Sequence, residues 1–372
     1  MSLGLQRPCQ PRLLVFSKSL LGLTALVLGF SFGLNSMPAW AQDKTDDKTD
    51  DKTVDKTVDK TEEKSEKKAD DDKIQPSEDI DLTTDDGLTL KATYYPGAKG
   101  RESIPVMLLH GFNNKEAKHS RQDFTQEEGL ALFLQQKLGC AVIVPDLRGH
   151  GESTKIEVGK KEEDVIPKGK KLQPSQVTAM VTQDLRTVKD FLWKKNNQKA
   201  LNIDKLAVIG VEEGADLALN YAVYDACGYD HGQAKFGPLK LGKFVKVVVL
   251  VSPVANVLGL KPSQALRKEF PEVFRDLQVL TVVGNKNTER FKEAEKRNNL
   301  FKRARPTEDG LPIEARTFLF LAKVETPLQG CKLLGEPSLN VPAKISHFLT
   351  LRLVKNPDAK DWVWKPRKLP HE

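Results

Sequence analysis

The sequence predicts one α/β domain built on a mostly parallel sheet of about eight strands, with helices on both faces. Short and almost continuous apolar runs recur along the chain, which is typical of strands that are buried on both faces of a parallel sheet. Segments with helical periodicity separate these runs. Strands and helices that alternate over this length indicate a doubly wound sheet.

The predicted elements begin with an antiparallel hairpin. Residues 80–84 and 88–95 alternate apolar and polar side chains on either side of the tight turn Asp85-Asp86-Gly87. The predicted buried strands are 106–109, 141–144, 206–209, 245–251, 279–283 and 315–324. The predicted helices are 127–138, 176–195, 215–226, 289–304 and 341–354. We expect residues 154–171 to form a surface loop or a disordered stretch, and no separate lid domain after the sixth strand.

The first 41 residues have the pattern of a cleavable export signal. Three basic residues precede the apolar run 20–34, and Ala39-Trp40-Ala41 matches a small-residue cleavage site. The uncharged stretch 19–34 is shorter than the roughly 20 residues that a membrane-spanning helix needs. We therefore expect cleavage after Ala41, and a mature protein in the periplasm, in the cell envelope or in the medium.

Residues 42–73 repeat aspartate, lysine and threonine, and their only apolar side chains are Val54, Val58 and Ala69. Such a segment cannot bury enough apolar surface to offset the entropy of ordering it. We expect a disordered tether that is followed by one α/β domain over residues 74–372. That length is ample for a single large core.

The charge of the domain favours anionic partners. The whole chain has a net charge of +7, the first 41 residues carry three basic side chains, and residues 42–73 carry 13 acidic residues against 9 lysines. The remaining domain therefore has a net charge of +8, which favours anionic lipid headgroups or polyanionic cell-wall material. No nucleic-acid motif accompanies this charge. The partner is thus expected to be a small molecule or an envelope component.

The cysteines and acidic residues give no sign of a metal site or a cofactor. Cys140, Cys227 and Cys331 remain after removal of the signal, so at most one disulfide can form, and their spacing matches no zinc site. We expect mostly buried thiols. Glu212 and Glu213 are adjacent, but we expect them to face different sides, and no second ligand cluster accompanies them.

Three local motifs follow the ends of predicted strands. His110-Gly111-Phe112 ends the third strand, and the loop 146–153 (Asp-Leu-Arg-Gly-His-Gly-Glu-Ser) ends the fourth. The turn 210–214 (Gly-Val-Glu-Glu-Gly) lies between the next strand and its helix. Glycines at both flanks of such a turn allow the strand and the helix to approach closely. Together and in this order, the motifs over residues 79–355 resemble those of the α/β-hydrolase fold, in its lid-less esterase and peptidase-like members.

The resemblance implies a catalytic triad, and all three of its positions are substituted. Glu212 occupies the nucleophile position between Gly210 and Gly214, where the family has serine. Asn287 stands at the position of the acid, and Gln329 at that of the histidine base. An amide cannot stabilise an imidazolium, and a glutamine cannot accept a proton near neutral pH.

The resemblance also assigns supporting residues. His110, Gly111 and Phe112, with the backbone of Glu213, are implied to form the oxyanion-hole region. His110 and His150 are expected to structure loops, because the family carries these histidines outside its triad. Three other places in the chain offer poor replacements for the lost residues. His347 lies inside the last predicted helix, and Ser153 does not lie in a tight strand-to-helix turn like 210–214, which we call the elbow. The segment 252–256 offers no carboxylate.

Three functions follow from this pattern. The sequence favours an exported pseudoenzyme that binds or scaffolds, since a triad without its base loses several orders of magnitude in rate. The first alternative is an atypical hydrolase of esters, peptides, epoxides or alkyl halides that uses Glu212, or an unlocated residue, as nucleophile. The second alternative is a basic module that interacts with the envelope. Trp362 and Trp364 near the C-terminus either cap the sheet or contact a partner, and the former is preferred.

Overall fold

A computed structural model describes residues 74–112, 119–159, 161–168, 170–226, 244–260, 277–304 and 319–368. Its strands are β1 (Glu78–Thr83), β2 (Thr89–Tyr95), β3 (Pro105–Leu109), β4 (Ala141–Pro145), β5 (Lys155–Val158), β6 (Lys161–Asp164), β7 (Leu206–Val211), β8 (Val245–Val251), β9 (Gln278–Gly284) and β10 (Leu319–Val324). The predicted signal and tether, residues 1–73, lie outside the described residues.

The helices described are α1 (Gln122–Thr125), α2 (Leu130–Leu138), α3 (Pro174–Ala179), α4 (Leu185–Asn197), α5 (Glu213–Ala226), α6 (Thr288–Ala304), α7 (Gly330–Gly335) and α8 (Val341–Leu349). π-Helical turns occur at Met180–Asp184, between α3 and α4, and at Thr350–Val354, after α8. Short 3₁₀ helices lie at Gly100–Glu102, Ile203–Lys205, Pro337–Leu339 and Pro357–Asp361. No helix in the described part of the chain is both long and apolar enough to span a membrane.

Eight of the strands form one sheet in the order β1-β2-β4-β3-β7-β8-β9-β10. The six strands from β4 to β10 in this order are parallel, whereas β2 is antiparallel to both β1 and β4. The predicted sheet of about eight strands, opened by an antiparallel hairpin, is therefore confirmed. Because the parallel strands all point the same way, the loops after β3, β4, β7, β8 and β9 meet at one edge, where ligands bind in open α/β sheets.

Alternate residues of the parallel strands supply a core on each face of the sheet. Met107 of β3 packs on one face with residues of α4 and α5, whereas its neighbour Leu108 packs on the other with residues of α2 and α8. Both side chains are fully buried. Burial on both faces explains the continuous apolar runs in the sequence.

Four predicted elements differ from the structure in their extent. Residues 154–171, predicted as loop or disorder, contain the antiparallel hairpin of β5 and β6. The helix predicted from residue 127 begins at Leu130, and the helix predicted over 176–195 spans α3, a π-helical turn and α4. The last strand begins at Leu319 in the described chain, and residues 315–318 lie outside it. The expectation that no lid domain follows the sixth predicted strand stays a prediction. Most of the chain there, residues 261–276, lies outside the described residues.

The C-terminal segment packs along the loop between α4 and β7. The Asn202 side chain donates a 2.8 Å hydrogen bond to the carbonyl of Trp362, and the indole N–H of Trp364 donates to the carbonyl of Asn196 at 3.1 Å. This loop precedes the amino end of β7. The segment therefore lies at the amino ends of the parallel strands, at the opposite end of β7 from the turn at Glu212.

Two cysteines lie in the described residues, and both are free thiols. Cys140 is buried in the core, and this burial raises the pKa of its thiol to about 12. Cys331 is half-buried in α7, and burial raises the pKa of its thiol as well. Cys227 lies outside the described residues.

Candidate functional site

The turn from β7 to α5 keeps a strained backbone at Glu212. Its φ is 54°, a left-handed conformation that is uncommon for residues other than glycine. The Glu212 N–H donates to the Val251 carbonyl at 2.9 Å, which fixes the turn against β8. A β-carbon at Gly210 would overlap the Gly214 carbonyl, and one at Gly214 would overlap the carbonyls of Leu109 and His110. The two glycines are thus required by the close approach of α5 to β7 and β3.

The Glu212 carboxylate is largely enclosed and lies between the side chains of Arg290 and His119. Arg290 Nη2 is 3.5 Å from Oε1, and His119 Nε2 is 3.5 Å from Oε2. The Glu212 side chain is 13 % exposed. Burial raises the pKa of this carboxyl, and the charge of Glu213 acts in the same direction, whereas Arg290 and His119 oppose the shift.

His119 belongs to a histidine–aspartate pair that sequence reasoning missed. Its Nδ1 is 2.8 Å from Asp123 Oδ2, and its Nε2 faces the elbow carboxylate. The hydrogen bond to Asp123 raises the pKa of His119 above its usual value, although burial opposes this. No sequence pattern pairs His119 with Asp123, because His119 lies before the short helix α1 that contains Asp123.

The segment that carries this pair is anchored to the loop after β4. The Arg121 backbone N–H donates to Asp146 Oδ1 at 2.7 Å, and its guanidinium also bonds to the Asp146 carboxylate. Asp146 is almost fully buried. Phe124, one residue beyond Asp123, is fully buried in the core. The anchors at Arg121, between the two residues, and at Phe124, just after them, hold His119 against the turn at Glu212.

The predicted oxyanion-hole region contains an internal carboxylate. The Phe112 N–H, one of the amides expected to face an oxyanion, donates to Glu213 Oε2 at 3.2 Å. An ideal β-carbon on Gly111 would lie 3.0 Å from the same oxygen and 3.1 Å from Glu212 Oε2. Both carboxylates therefore approach the backbone at Gly111, contrary to the expectation that they face different sides.

His110 and His150 connect the loops after β3 and β4. His110 Nε2 accepts the Leu147 N–H at 2.9 Å, so its proton lies on Nδ1, which donates to the Gly111 carbonyl. Full burial lowers the pKa of His110 to about 3, which keeps the ring neutral. The ring nitrogens of His150 lie 2.9 and 3.0 Å from the carbonyls of Phe112 and Arg148. These contacts are structural.

Asn287 caps the helix that carries Arg290. Its side-chain oxygen accepts the Arg290 backbone N–H at 3.2 Å, and its carbonyl accepts the Phe291 N–H. Such an N-cap satisfies an otherwise unpaired helical N–H and contributes about 1 kcal/mol. Asn287, which the sequence predicts at the acid position, therefore starts α6 and places Arg290 on the first turn, next to Glu212.

Gln329 is bonded to the last residue of β9. Its Nε2 donates to the Gly284 carbonyl at 2.9 Å. The next residue, Gly330, donates its N–H to Ser252 Oγ at 2.9 Å, and an ideal β-carbon there would lie 2.8 Å from the Glu212 carboxyl carbon. The loop that contains Gln329 thus encloses Glu212, while the glutamine side chain itself bonds to a backbone carbonyl.

Among the described residues, no cluster of three or more His, Cys, Asp or Glu could hold a metal ion.

The sequence matches the family model of the alpha/beta hydrolase fold over residues 104–296. This region comprises just over half of the chain and contains the strands β3 to β9, the elbow and the first turns of α6. The protein belongs to the α/β-hydrolase-fold family. Comparison with curated proteins gives no match.

Several solved structures are similar to this chain. An esterase from Pyrococcus furiosus is 16 % identical, with 76 % of this chain and 94 % of that chain covered and a TM-score of 0.46. An esterase from Pyrobaculum calidifontis is 16 % identical, with 76 % and 87 % covered and a TM-score of 0.48. A dienelactone hydrolase from Anabaena variabilis is 13 % identical, with 75 % and 97 % covered and a TM-score of 0.44.

The strain at the elbow can be measured by comparing two substitutions. Both Glu212→Gly and Glu212→Ala remove the carboxylate, but only glycine adopts a φ of 54° without steric cost. We expect the glycine variant to be about 1 kcal/mol more stable in urea unfolding than the alanine variant. At Glu295, inside α6, the same pair of substitutions should give the opposite order. Equal stability of the two Glu212 variants would show that the turn is unstrained.

Proposed function

We propose that this protein is an exported member of the α/β-hydrolase-fold family that has lost serine-hydrolase chemistry and acts by binding a small molecule or an envelope component. It is then a pseudoenzyme toward esters and peptides. The observation that carries this proposal is the hydrogen bond from the Phe112 N–H to the Glu213 carboxylate.

Acyl transfer requires hydrogen-bond donors aimed at the oxygen that becomes negative in the transition state. Loss of one such donor reduces kcat by about 10²- to 10³-fold. Here the Phe112 donor is bonded to an anion of the protein itself. A carboxylate at this place would also repel the developing oxyanion. Acyl substrates therefore lose a donor and meet a charge of the wrong sign.

The contacts of the triad-equivalent residues support the same conclusion. Asn287 caps α6, and Gln329 bonds to a backbone carbonyl. Each side chain makes a contact that stabilises a loop and has no acid–base function. The elbow nevertheless keeps a conformation that costs a non-glycine residue about 1 to 3 kcal/mol. A binding role at this edge of the sheet gives a reason for retaining it.

The loss of acyl chemistry predicts no enzymatic turnover of p-nitrophenyl acetate or p-nitrophenyl butyrate. Release of p-nitrophenol by the wild-type protein should equal that by Glu212→Ala at every substrate concentration, because neither protein offers an unoccupied oxyanion hole. Saturable turnover that disappears in Glu212→Ala would refute the proposal. Ser153→Ala is the matched control for a hydroxyl outside the elbow, and it should leave the background rate unchanged.

Export rests on the N-terminal pattern of three basic residues, the apolar run 20–34 and the sequence Ala39-Trp40-Ala41. Intact-mass measurement of the protein from the periplasmic fraction of a bacterial host should give a chain that begins at Gln42. Replacement of Ala41 by a bulky residue, as in Ala41→Phe, should leave the signal attached. A full-length wild-type chain that stays in the cytoplasmic fraction would contradict export.

The net charge of +8 on residues 74–372 favours an anionic surface as the partner. The mature chain, which keeps residues 42–73 and therefore has a net charge of +4, should sediment with vesicles that contain phosphatidylglycerol but not with vesicles of phosphatidylcholine alone. Sedimentation should decrease between about 0.05 and 0.5 M salt, since salt screens interactions between exposed charges. Retention that is absent, or that salt does not change, would rule out this partner.

A further inference from the structure

A groove lies beside β10, the last strand in the order of the large sheet, and it is separate from the site at Glu212. Its walls come from β9, from β10, and from α8 with the π-helical turn that follows it. The groove has a volume of about 300 Å³, which is at the lower end of the roughly 300 to 1,000 Å³ of small-molecule sites. The described residues that line it include none of those that surround Glu212.

The floor of this groove is apolar and incompletely covered. Phe320 and Ala322 are two residues apart on β10, so their side chains point to the same face of the sheet. The Phe320 ring packs edge to face against Phe348 of α8, with the ring centroids 5.6 Å apart. Phe320, Ala322 and Leu351 are only half-buried. An apolar chain that covered them would remove their surface from water, which is favourable.

The rim of the groove carries positive charge and hydrogen-bond donors. Lys344 and His347 are exposed and lie three residues apart on α8, so their side chains are neighbours. Lys344 donates one hydrogen bond to the Leu339 carbonyl at 2.9 Å, and an ammonium has three donors. The His347 ring has at least one N–H in either protonation state. Among the described residues that line the groove, none is acidic. The rim therefore favours an anionic head group.

Arg352 adds to this positive charge below the rim. Its guanidinium lies 4.9 Å from the centroid of the Phe320 ring and 5.8 Å from that of Phe348, within the range of a cation–π contact. The side chain thus connects the two rings of the floor. It also opposes a cationic occupant, because like charges repel more strongly in a groove that is shielded from water.

The length of the groove limits the size of its occupant. Leu351 lies seven residues beyond Lys344, which corresponds to about 10 Å along the helical segment. This distance suits one acyl chain of medium length. The two chains of a bilayer lipid require more than the volume of about 300 Å³.

We propose that this groove binds a fatty acid of medium chain length, with its carboxylate at Lys344 and His347 and its chain across Phe320 and Phe348. A carboxylate accepts several hydrogen bonds at once, which matches an ammonium and an imidazole N–H side by side. This second ligand site goes beyond the proposed function, because it does not depend on the state of the elbow.

A second copy of this chain is a less suitable occupant. Contact across a two-fold axis brings the same surface of both copies together. The side chains of Lys344, His347 and Arg352 from two copies would then share one interface, without an acidic partner in the described lining. Like charges placed in this way repel each other. The charge of the groove therefore favours the fatty acid.

Binding can be measured by isothermal titration calorimetry of the mature protein with sodium decanoate below its micelle concentration. One decanoate should bind per chain. Hexanoate should bind roughly 10²-fold more weakly, since each buried CH₂ changes the affinity by about 4-fold. Decyltrimethylammonium, which has the same chain and a cationic head, should not bind. Absence of decanoate binding, or equal affinity for decanoate and either of the other two compounds, would overturn the inference.

Two variants test whether the ligand lies in the groove. Lys344→Glu reverses the charge of an exposed rim side chain and should weaken decanoate binding by about 5-fold or more. Lys355→Glu changes the net charge equally at an exposed lysine outside the lining, and it should leave the affinity nearly unchanged. Ala322→Phe fills the floor and should abolish binding, and a thermal melt checks that this variant is folded.

Three results would assign the groove or the ligand differently and overturn the inference. Decanoate binding that survives both Lys344→Glu and Ala322→Phe would place the ligand elsewhere. Loss of binding in Glu212→Ala but not in Ala322→Phe would place it at the elbow. A dimer in sedimentation velocity that Ala322→Phe dissociates would assign the groove to a second copy. Each of these results leaves the loss of acyl chemistry untouched, and turnover of p-nitrophenyl esters would leave the fatty-acid site untouched.

Discussion

The arrangement of the site depends on the close approach of α5 to β7 and β3. Gly210 and Gly214 permit this approach, and the resulting turn forces Glu212 into a left-handed backbone conformation. Because Glu212 projects from this turn, the loops after β3 and β10 and the first turn of α6 all reach its carboxylate. A relaxed turn would redirect the side chain and separate it from these partners.

The sequence was sufficient to predict the fold, because burial on both faces of a parallel sheet gives a strong local signal. Strands such as 206–209 and 245–251 contain few polar residues, and the helices between them have clear periodicity. The hairpin of β5 and β6 was not predicted. Its strands are rich in charge and largely exposed, so no pattern of burial distinguishes them from a loop. The interruption between α3 and α4 was missed for a related reason, since a π-helical turn barely changes the spacing of apolar residues.

The candidate site was only partly predictable. The order of motifs predicts triad positions for Glu212, Asn287 and Gln329, and this assignment stays a prediction, because a residue type at a motif position does not specify its partner. His119 was missed because its contact with Glu212 depends on Arg121 and Asp146, which are distant in sequence and join two loops. The contact between Glu213 and Phe112 was not predicted either. The motif assigns the backbone of these two residues to the oxyanion region, whereas the contact is made by the Glu213 side chain.

Gly330 provides the space that the longer side chain at the elbow needs. An ideal β-carbon at this position would lie 2.8 Å from the Glu212 carboxyl carbon, whereas a serine at 212 would end well short of it. The tolerance of position 330 is therefore limited both by its left-handed φ of 58° and by the residue at position 212. Among related sequences, bulk at the two positions should be anticorrelated, and a glutamate should occur at the elbow only where the loop after β10 keeps this glycine.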